Sequence, residues 1–176
     1  MPGVESIVSG GDIILNEYEK VGKRPELSPL WIDWESDWDH SSEWQVLPVY
    51  FSRGMAEHRF GQGSSWESLV IPLSMLWPSV WSLVFENMEP EDVKLIAFSK
   101  LKANQELKPH QHANPGRKIF HMAVDVPEGD VGISTSSGDK LWTKPKEWIT
   151  FDDNEIHSAW NNTEEDRVIF YLDYKA

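Results

Sequence analysis

Three histidines in the second half of this chain have the spacing of metal ligands. In PHQHANPGRKIFH, His110 and His112 are two residues apart, so an extended strand turns both imidazoles to one face. His157 follows in FDDNEIHSAWNN, near the end of another strand. Two imidazoles from separate strands and one further ligand form a facial triad that leaves positions open on the metal. Exposed loop histidines would show the same spacing, so the histidines alone do not decide. Arg167 heads the strand RVIFYLDY, ten residues beyond His157. Alternation groups Arg167, Ile169 and Tyr171 on one face and Val168, Phe170 and Leu172 on the other, and the sequence leaves open which face looks inward. An inward arginine needs an anion, and its fork matches a carboxylate at two points. An outward one would pair with Glu165 or Asp166 on the surface.

Composition narrows the chemistry. The chain has 176 residues, enough for one domain with a real core, and no cysteine. Disulfides, iron–sulfur clusters and thiol nucleophiles are excluded, and a metal site must be built from His, Asp and Glu, which suits iron, zinc or manganese. A net charge of −13 argues against nucleic acid, whose phosphates call for clustered Lys and Arg. No apolar run is long enough to cross a bilayer, and the opening MPGVESIVSGGD lacks a signal peptide's basic head and apolar middle. No membrane association and a cytoplasmic location are the expectation, while oligomeric state is not legible.

The elements that must position these residues fall in three stretches of a single domain. Residues 1–45 read as an arm or lid rather than core, broken at Gly10-Gly11, Pro25 and Pro29, with WIDWESDWDHSSEW as a surface-packed loop. Residues 46–92 give mixed support. WQVLPVYFSRG reads as a strand ended by Gly54, and residues 66–86 as short helical pieces broken at Pro72 and Pro78. From 93 to 176 the pattern is β: VKLIAFSKL, GRKIFHMAVDVP, a hairpin in VGISTSSGDKLWT with Gly138-Asp139 near its turn, EWITFDD and RVIFYLDY. Helix is expected only in the first half. The fold expected is mainly β, a double-stranded β-helix (jelly roll, cupin-like) with a small N-terminal α/loop extension. Of the ten tryptophans, Trp142, Trp148 and Trp160 are candidates for pocket walls, core packing being the commoner role.

From about Leu95 to Asp173 the chain resembles the aspartyl/asparaginyl β-hydroxylase family of iron(II)- and 2-oxoglutarate-dependent dioxygenases. The resemblance rests on PHQHANPGRKIFHMAVDVP and on FDDNEIHSAWNNTEEDRVIFYLD, above all on FDD-x-x-x-H-x-x-W-N with an arginine ten beyond the histidine. It implies that His110 and His157 hold iron and that Arg167, backed by Ser99, grips the distal carboxylate of 2-oxoglutarate. It also implies that His121 stands near the other end of that co-substrate and that Arg117 contacts substrate. The chain departs from the family at Ile119, where a second substrate-side arginine would stand, which puts an aspartyl substrate in doubt. It departs again at His112, where members carry aspartate or glycine. His112 is a third ligand or swings aside for water. Asp152 and Asp153 rank below it because the FDD step resembles a structural turn in the family.

The expected activity is oxidation, by hydroxylation or otherwise, of a small molecule, amino acid or peptide side chain, using Fe(II), 2-oxoglutarate and O2. Two other readings stay open: a cupin-like enzyme with a three-histidine metal and no 2-oxoglutarate, and a non-catalytic binding barrel.

Overall fold

The computed structural model describes residues 2–34, 43–63 and 65–176. The chain opens with α1 (Pro2–Ser9) and α2 (Gly11–Glu17), a π-helical turn at Tyr18–Gly22 and a 3-10 turn at Pro25–Leu30. After β1 (Ile32–Asp33) and β2 (Trp44–Phe51) come α3 (Arg53–Phe60), α4 (Trp66–Leu76) and α5 (Pro78–Phe85). Eight strands follow: β3 (Val93–Leu101), β4 (Gln105–His110), β5 (Arg117–Asp125), β6 (Val131–Thr135), β7 (Gly138–Leu141), β8 (Trp148–Asp152), β9 (His157–Asn161) and β10 (Arg167–Lys175).

These strands form a six-stranded sheet in the order β1-β2-β3-β10-β5-β8 and a four-stranded sheet in the order β4-β9-β6-β7. Every pairing is antiparallel. The result is the expected double-stranded β-helix, with regular helix confined to the first half. One face of the large sheet, carrying Phe98, Phe120, Phe170 and Leu172, packs on the N-terminal helices. The other, carrying Ile119, Ala123, Phe151 and Ile169, packs on Val131 and Ile133 of the small sheet. Both faces of β10 are therefore buried, and the face that carries Arg167 looks between the sheets.

The first 30 residues differ from the arm or lid expected of them. Ile7, Ile14, Tyr18 and Val21 belong to the largest core cluster. Gly10, which suggested a break, is a close-packing position: a Cβ there would lie 2.4 Å from Leu83 Cδ1. Gly22 is another, where a Cβ would lie 2.4 Å from the Tyr18 ring. Glu17 fixes this layer to the rest, its carboxylate accepting the backbone N–H groups of Ser79 (2.9 Å) and Val80 (2.7 Å) in the first turn of α5. A carboxylate there satisfies donors that the helix cannot and complements its positive end.

Three local expectations shift. Gly54 lies inside α3, and the strand ends at Phe51, after which Ser52 caps the helix by accepting from Met55 N–H (3.2 Å). Pro72 does not break α4; it sits on the exposed side, where solvent can reach the Ser68 carbonyl it cannot bond. The break falls at Trp77–Pro78, where the chain bends by 106° and proline suits a first helical turn. Most of WIDWESDWDHSSEW lies outside the described residues, but Ile32–Asp33 pairs with Val46 and Gln45 as β1.

Candidate active site

The end of β4 and the start of β9 meet in register, His110 opposite His157. Their ring centroids are 4.2 Å apart, and the His112 ring lies 5.6 Å from the first and 6.1 Å from the second. His110 and His157 are thus the outermost residues of paired strands. His157 begins a strand of its own, β9, rather than ending the preceding one. His112 has left β4 and sits in the loop to β5. Nδ1 of His110 is 2.7 Å from the Lys108 carbonyl and Nδ1 of His157 is 2.8 Å from the Glu155 carbonyl. A carbonyl only accepts, so each Nδ1 carries the proton and each lone pair lies on Nε2.

Asp153, ranked low from the sequence, is inside the site. It is 3 % exposed, its Oδ1 lies 3.1 Å from His112 Nδ1 and its Oδ2 accepts from Asn114 Nδ2 at 2.7 Å. Its neighbour Asp152 forms the expected turn, accepting from Asn154 N–H at 2.9 Å. Ligand atoms of His112, Asp153 and His157 all lie within 4.8 Å of one another. The set the structure assembles is therefore two imidazoles with a carboxylate rather than the expected three histidines, with His110 beside it, its ring 4.2 Å from that of His157. Nitrogen and oxygen donors of this kind suit iron, zinc or manganese.

Burial holds His110 down at about 4 and lowers His157 as well, so both are neutral, as a ligand must be. His112 is raised, chiefly by its hydrogen bond to Asp153. Burial pushes the Asp153 carboxyl up, but the hydrogen bonds from His112 and Asn114 outweigh it and bring it below the usual range.

The same cavity holds Arg167, Ser99 and His121. Arg167 is 1 % exposed, its Nε has no hydrogen-bond partner among the described residues, and burial alone lowers its guanidinium to about 9. It forms no ion pair among the described residues, so the surface pair with Glu165 or Asp166 is not made. Ser99 pairs in register with Ile169, two residues along β10 from Arg167, and its hydroxyl accepts from Trp44 Nε1 at 2.9 Å. His121 is buried with neither ring nitrogen hydrogen-bonded among the described residues, and burial, then the Arg167 charge, pushes it well below its ordinary value. A buried cation and a buried imidazole, both short of partners, mark a place where a polar ligand completes the structure. Apolar walls come from Leu107, Ile119, Ile133 and Phe151.

Arg117 is placed elsewhere. It lies outside the cavity lining, its Nε donating to Asp173 Oδ1 at 2.6 Å, an ion pair that Lys94 joins at 3.8 Å. Ile119, the departure noted in the sequence, is in the wall. None of the three candidate tryptophans lines the cavity. Trp142 packs with Ile133 in the core, Trp148 stacks on Phe120 and Trp160 donates to Asp130 at 2.6 Å. The tryptophan in the wall is Trp44, which sequence reasoning missed. Its alternation with Val46, opposite Ser99 on β3, was the available clue.

The sequence profile described as Aspartyl/Asparaginyl beta-hydroxylase matches residues 11–176. The chain belongs to that family. Membership in the aspartyl/asparaginyl beta-hydroxylase family thus takes in α2 as well as the β half. No curated protein matches the sequence. Among solved structures, KdgF from Halomonas sp. is 14% identical, covers 84% of this chain and 93% of its own, and has a TM-score of 0.45. A predicted oxalate decarboxylase from Thermotoga maritima is 17% identical over 49% of this chain and 70% of its own, with a TM-score of 0.40. The cupin domain of an XRE family transcriptional regulator from Enterobacter cloacae is 10% identical over 47% and 81%, with a TM-score of 0.40. Among the described residues, no single helix of this β-hydroxylase family member is long and apolar enough to cross a membrane.

Proposed function

We propose that the protein is an Fe(II)- and 2-oxoglutarate-dependent dioxygenase that oxidises a small molecule, amino acid or peptide side chain. The observation that carries this reading is Arg167, a buried guanidinium without an anion, in the same cavity as the converging His and Asp side chains. A buried cation is stable only when paired, and a dicarboxylate can bring the pair. Bound iron with 2-oxoglutarate would supply oxygen activation, giving succinate and CO2 as co-products.

The chain's own groups have separable tasks. His110 and His157 offer Nε2, each held by a backbone carbonyl on its other nitrogen, as ligating histidines usually are. His112 is the third donor, with Asp153 behind it: both Asp153 oxygens are engaged by His112 and Asn114, which suits a carboxylate that orients an imidazole. Arg167 takes the distal carboxylate, Ser99 adds a hydroxyl donor, and His121 faces the other end of the co-substrate. Ile119, Ile133 and Phe151 keep water out. The enclosed space is about 40 Å³, enough for roughly a single ion or water, so the co-substrate enters by displacing wall side chains. His112 beside His157 also fits a three-histidine metalloenzyme without 2-oxoglutarate, and Arg167 is the feature that reading leaves unexplained.

The test is anaerobic loading with Fe(II), titration with 2-oxoglutarate, and succinate detection on admitting oxygen. His110→Ala and His157→Ala should each lose most of the metal, and unchanged iron binding in both variants would sink the reading. Asp153→Asn should weaken the metal by roughly 10–100-fold. Iron binding without 2-oxoglutarate binding would select the metal-only alternative.

A further inference from the structure

Away from the histidine cavity, the connection from β7 to β8 runs against the character of the molecule. In a protein of net charge −13, Lys140, Lys144 and Lys146 fall within seven residues. With Pro145, Glu147 and Trp148 they line an open groove of about 500 Å³. Lys146 is paired with Asp12 at 2.9 Å. The Glu147 carboxylate is occupied by the Thr143 N–H (2.9 Å) and hydroxyl (2.7 Å). Lys140 and Lys144 form no ion pair among the described residues. Trp148, 43% exposed, offers an apolar surface beside them.

The second observation is the backbone. Among the described residues, β8 is the outermost strand of the six-stranded sheet and pairs with β5 alone. Hydrogen bonds from Ala123 N–H to the Glu147 carbonyl (2.8 Å) and from Asp153 N–H to the Arg117 carbonyl (3.1 Å) bracket its ladder. In an antiparallel pair, residues alternate between bonding the neighbour and pointing away. Counting in steps of two from Glu147 and from Asp153 gives the same answer: Ile149 and Phe151 bond β5. The N–H and C=O groups of Trp148 and Thr150 therefore point to the open side. Asp152 N–H, next in the outward series, is capped by Glu155 Oε1 at 2.9 Å, which closes that end of the edge.

We propose that the Trp148–Thr150 edge and the lysine groove beside it dock an extended, acidic peptide segment of another protein, added as a strand to the sheet. The open edge supplies main-chain partners, and the lysines choose an acidic sequence and set its register. A free anion would use the lysines and ignore the edge. A second copy of this chain has the same β8 edge to offer, but it would set the same lysines against each other.

The proposal is independent of the dioxygenase reading and is tested on the full chain. The probe is a fluorescein-labelled hexapeptide alternating glutamate and valine, followed by anisotropy, with hydrogen exchange read at the Trp148 and Thr150 amides. The acidic peptide should bind and slow exchange at both amides, and binding should weaken as salt is raised. Lys140→Glu with Lys144→Glu should weaken it by about tenfold or more, two lost charge pairs being replaced by repulsion. A peptide methylated on alternate backbone nitrogens should bind only when its unmethylated edge can face β8. Equal binding whichever nitrogens are methylated, no protection of the two amides, or no binding by the acidic peptide overturns the proposal. So does self-association that the same lysine reversal abolishes without any peptide present.

Discussion

Arg167 is held in an arrangement that favours ligand over fold. Its charge is fully buried and its Nε unpartnered, so the unliganded protein carries an uncompensated desolvation penalty. Arg167→Met should raise unfolding stability in the absence of metal and co-substrate by about 1–4 kcal/mol, the range seen when apolar side chains replace buried ionic groups, while abolishing 2-oxoglutarate binding. Urea unfolding of both proteins checks the first part, and a less stable variant would show that Arg167 already has a partner. The residues around it were unevenly legible. Spacing singled out His110, His112 and His157, but His112 lies in the loop after β4, so strand alternation is not what brings it beside the other two. Asp153 ranked low because the FDD step resembles a structural turn, and only the fold shows that Asp152 makes that turn while Asp153 receives His112 and Asn114. Arg117 matched a motif position, yet Asp173 lies close enough to claim it.

At the scale of elements, the strands were easier to find than their faces. On β10 the alternating sets Arg167, Ile169, Tyr171 and Val168, Phe170, Leu172 meet different partners, the small sheet on one side and the helices on the other. A strand buried on both faces loses the polar–apolar alternation that would announce its inner side. β4 and β9 were missed as separate strands because each is short and β4 carries Pro109. The N-terminal α extension was expected, but its place in the core was not, because α1 and α2 span only eight and seven residues, about two turns each, which carry little periodic signal. Beside their apolar contacts, Glu17 ties them to α5, and no periodicity reveals it. Glu17→Ala should leave the Ser79 and Val80 amides unsatisfied in a largely buried place, at a cost of about 1–3 kcal/mol. Thermal melting and amide exchange at those two positions measure it, and an unchanged melting temperature with unchanged exchange would show that α5 does not depend on this cap.

At the scale of the whole molecule, acid should act through the buried imidazoles of His110, His157 and, most of all, His121. Burial depresses His121 well below 6.5 in the folded protein, so the unfolded chain binds a proton there first as pH falls. Stability present above pH 6.5 is then progressively lost on acidification. His121→Leu, which replaces a buried imidazole lacking hydrogen bonds with an apolar side chain, should keep the fold and make the profile shallower below that pH, with His110 and His157 supplying the slope that is left. Denaturant unfolding of the metal-free proteins between pH 5 and 8 tests this, and parallel profiles would place the acid sensitivity elsewhere.

The two-sided burial of the large sheet also limits how the molecule can be cut. Every residue of the candidate site lies in β2 or beyond, which invites trimming the chain to its β half. Yet Phe98, Phe120, Phe170 and Leu172 would then lose the helices that cover them. They would present a continuous oily surface, the kind that drives aggregation. A fragment of residues 93–176 should accumulate as insoluble material, and one that stays monodisperse would show the helical layer to be dispensable. The sheet's outer face makes the helices part of the smallest unit that can be expressed, mutated or transplanted, although none of them touches the chemistry.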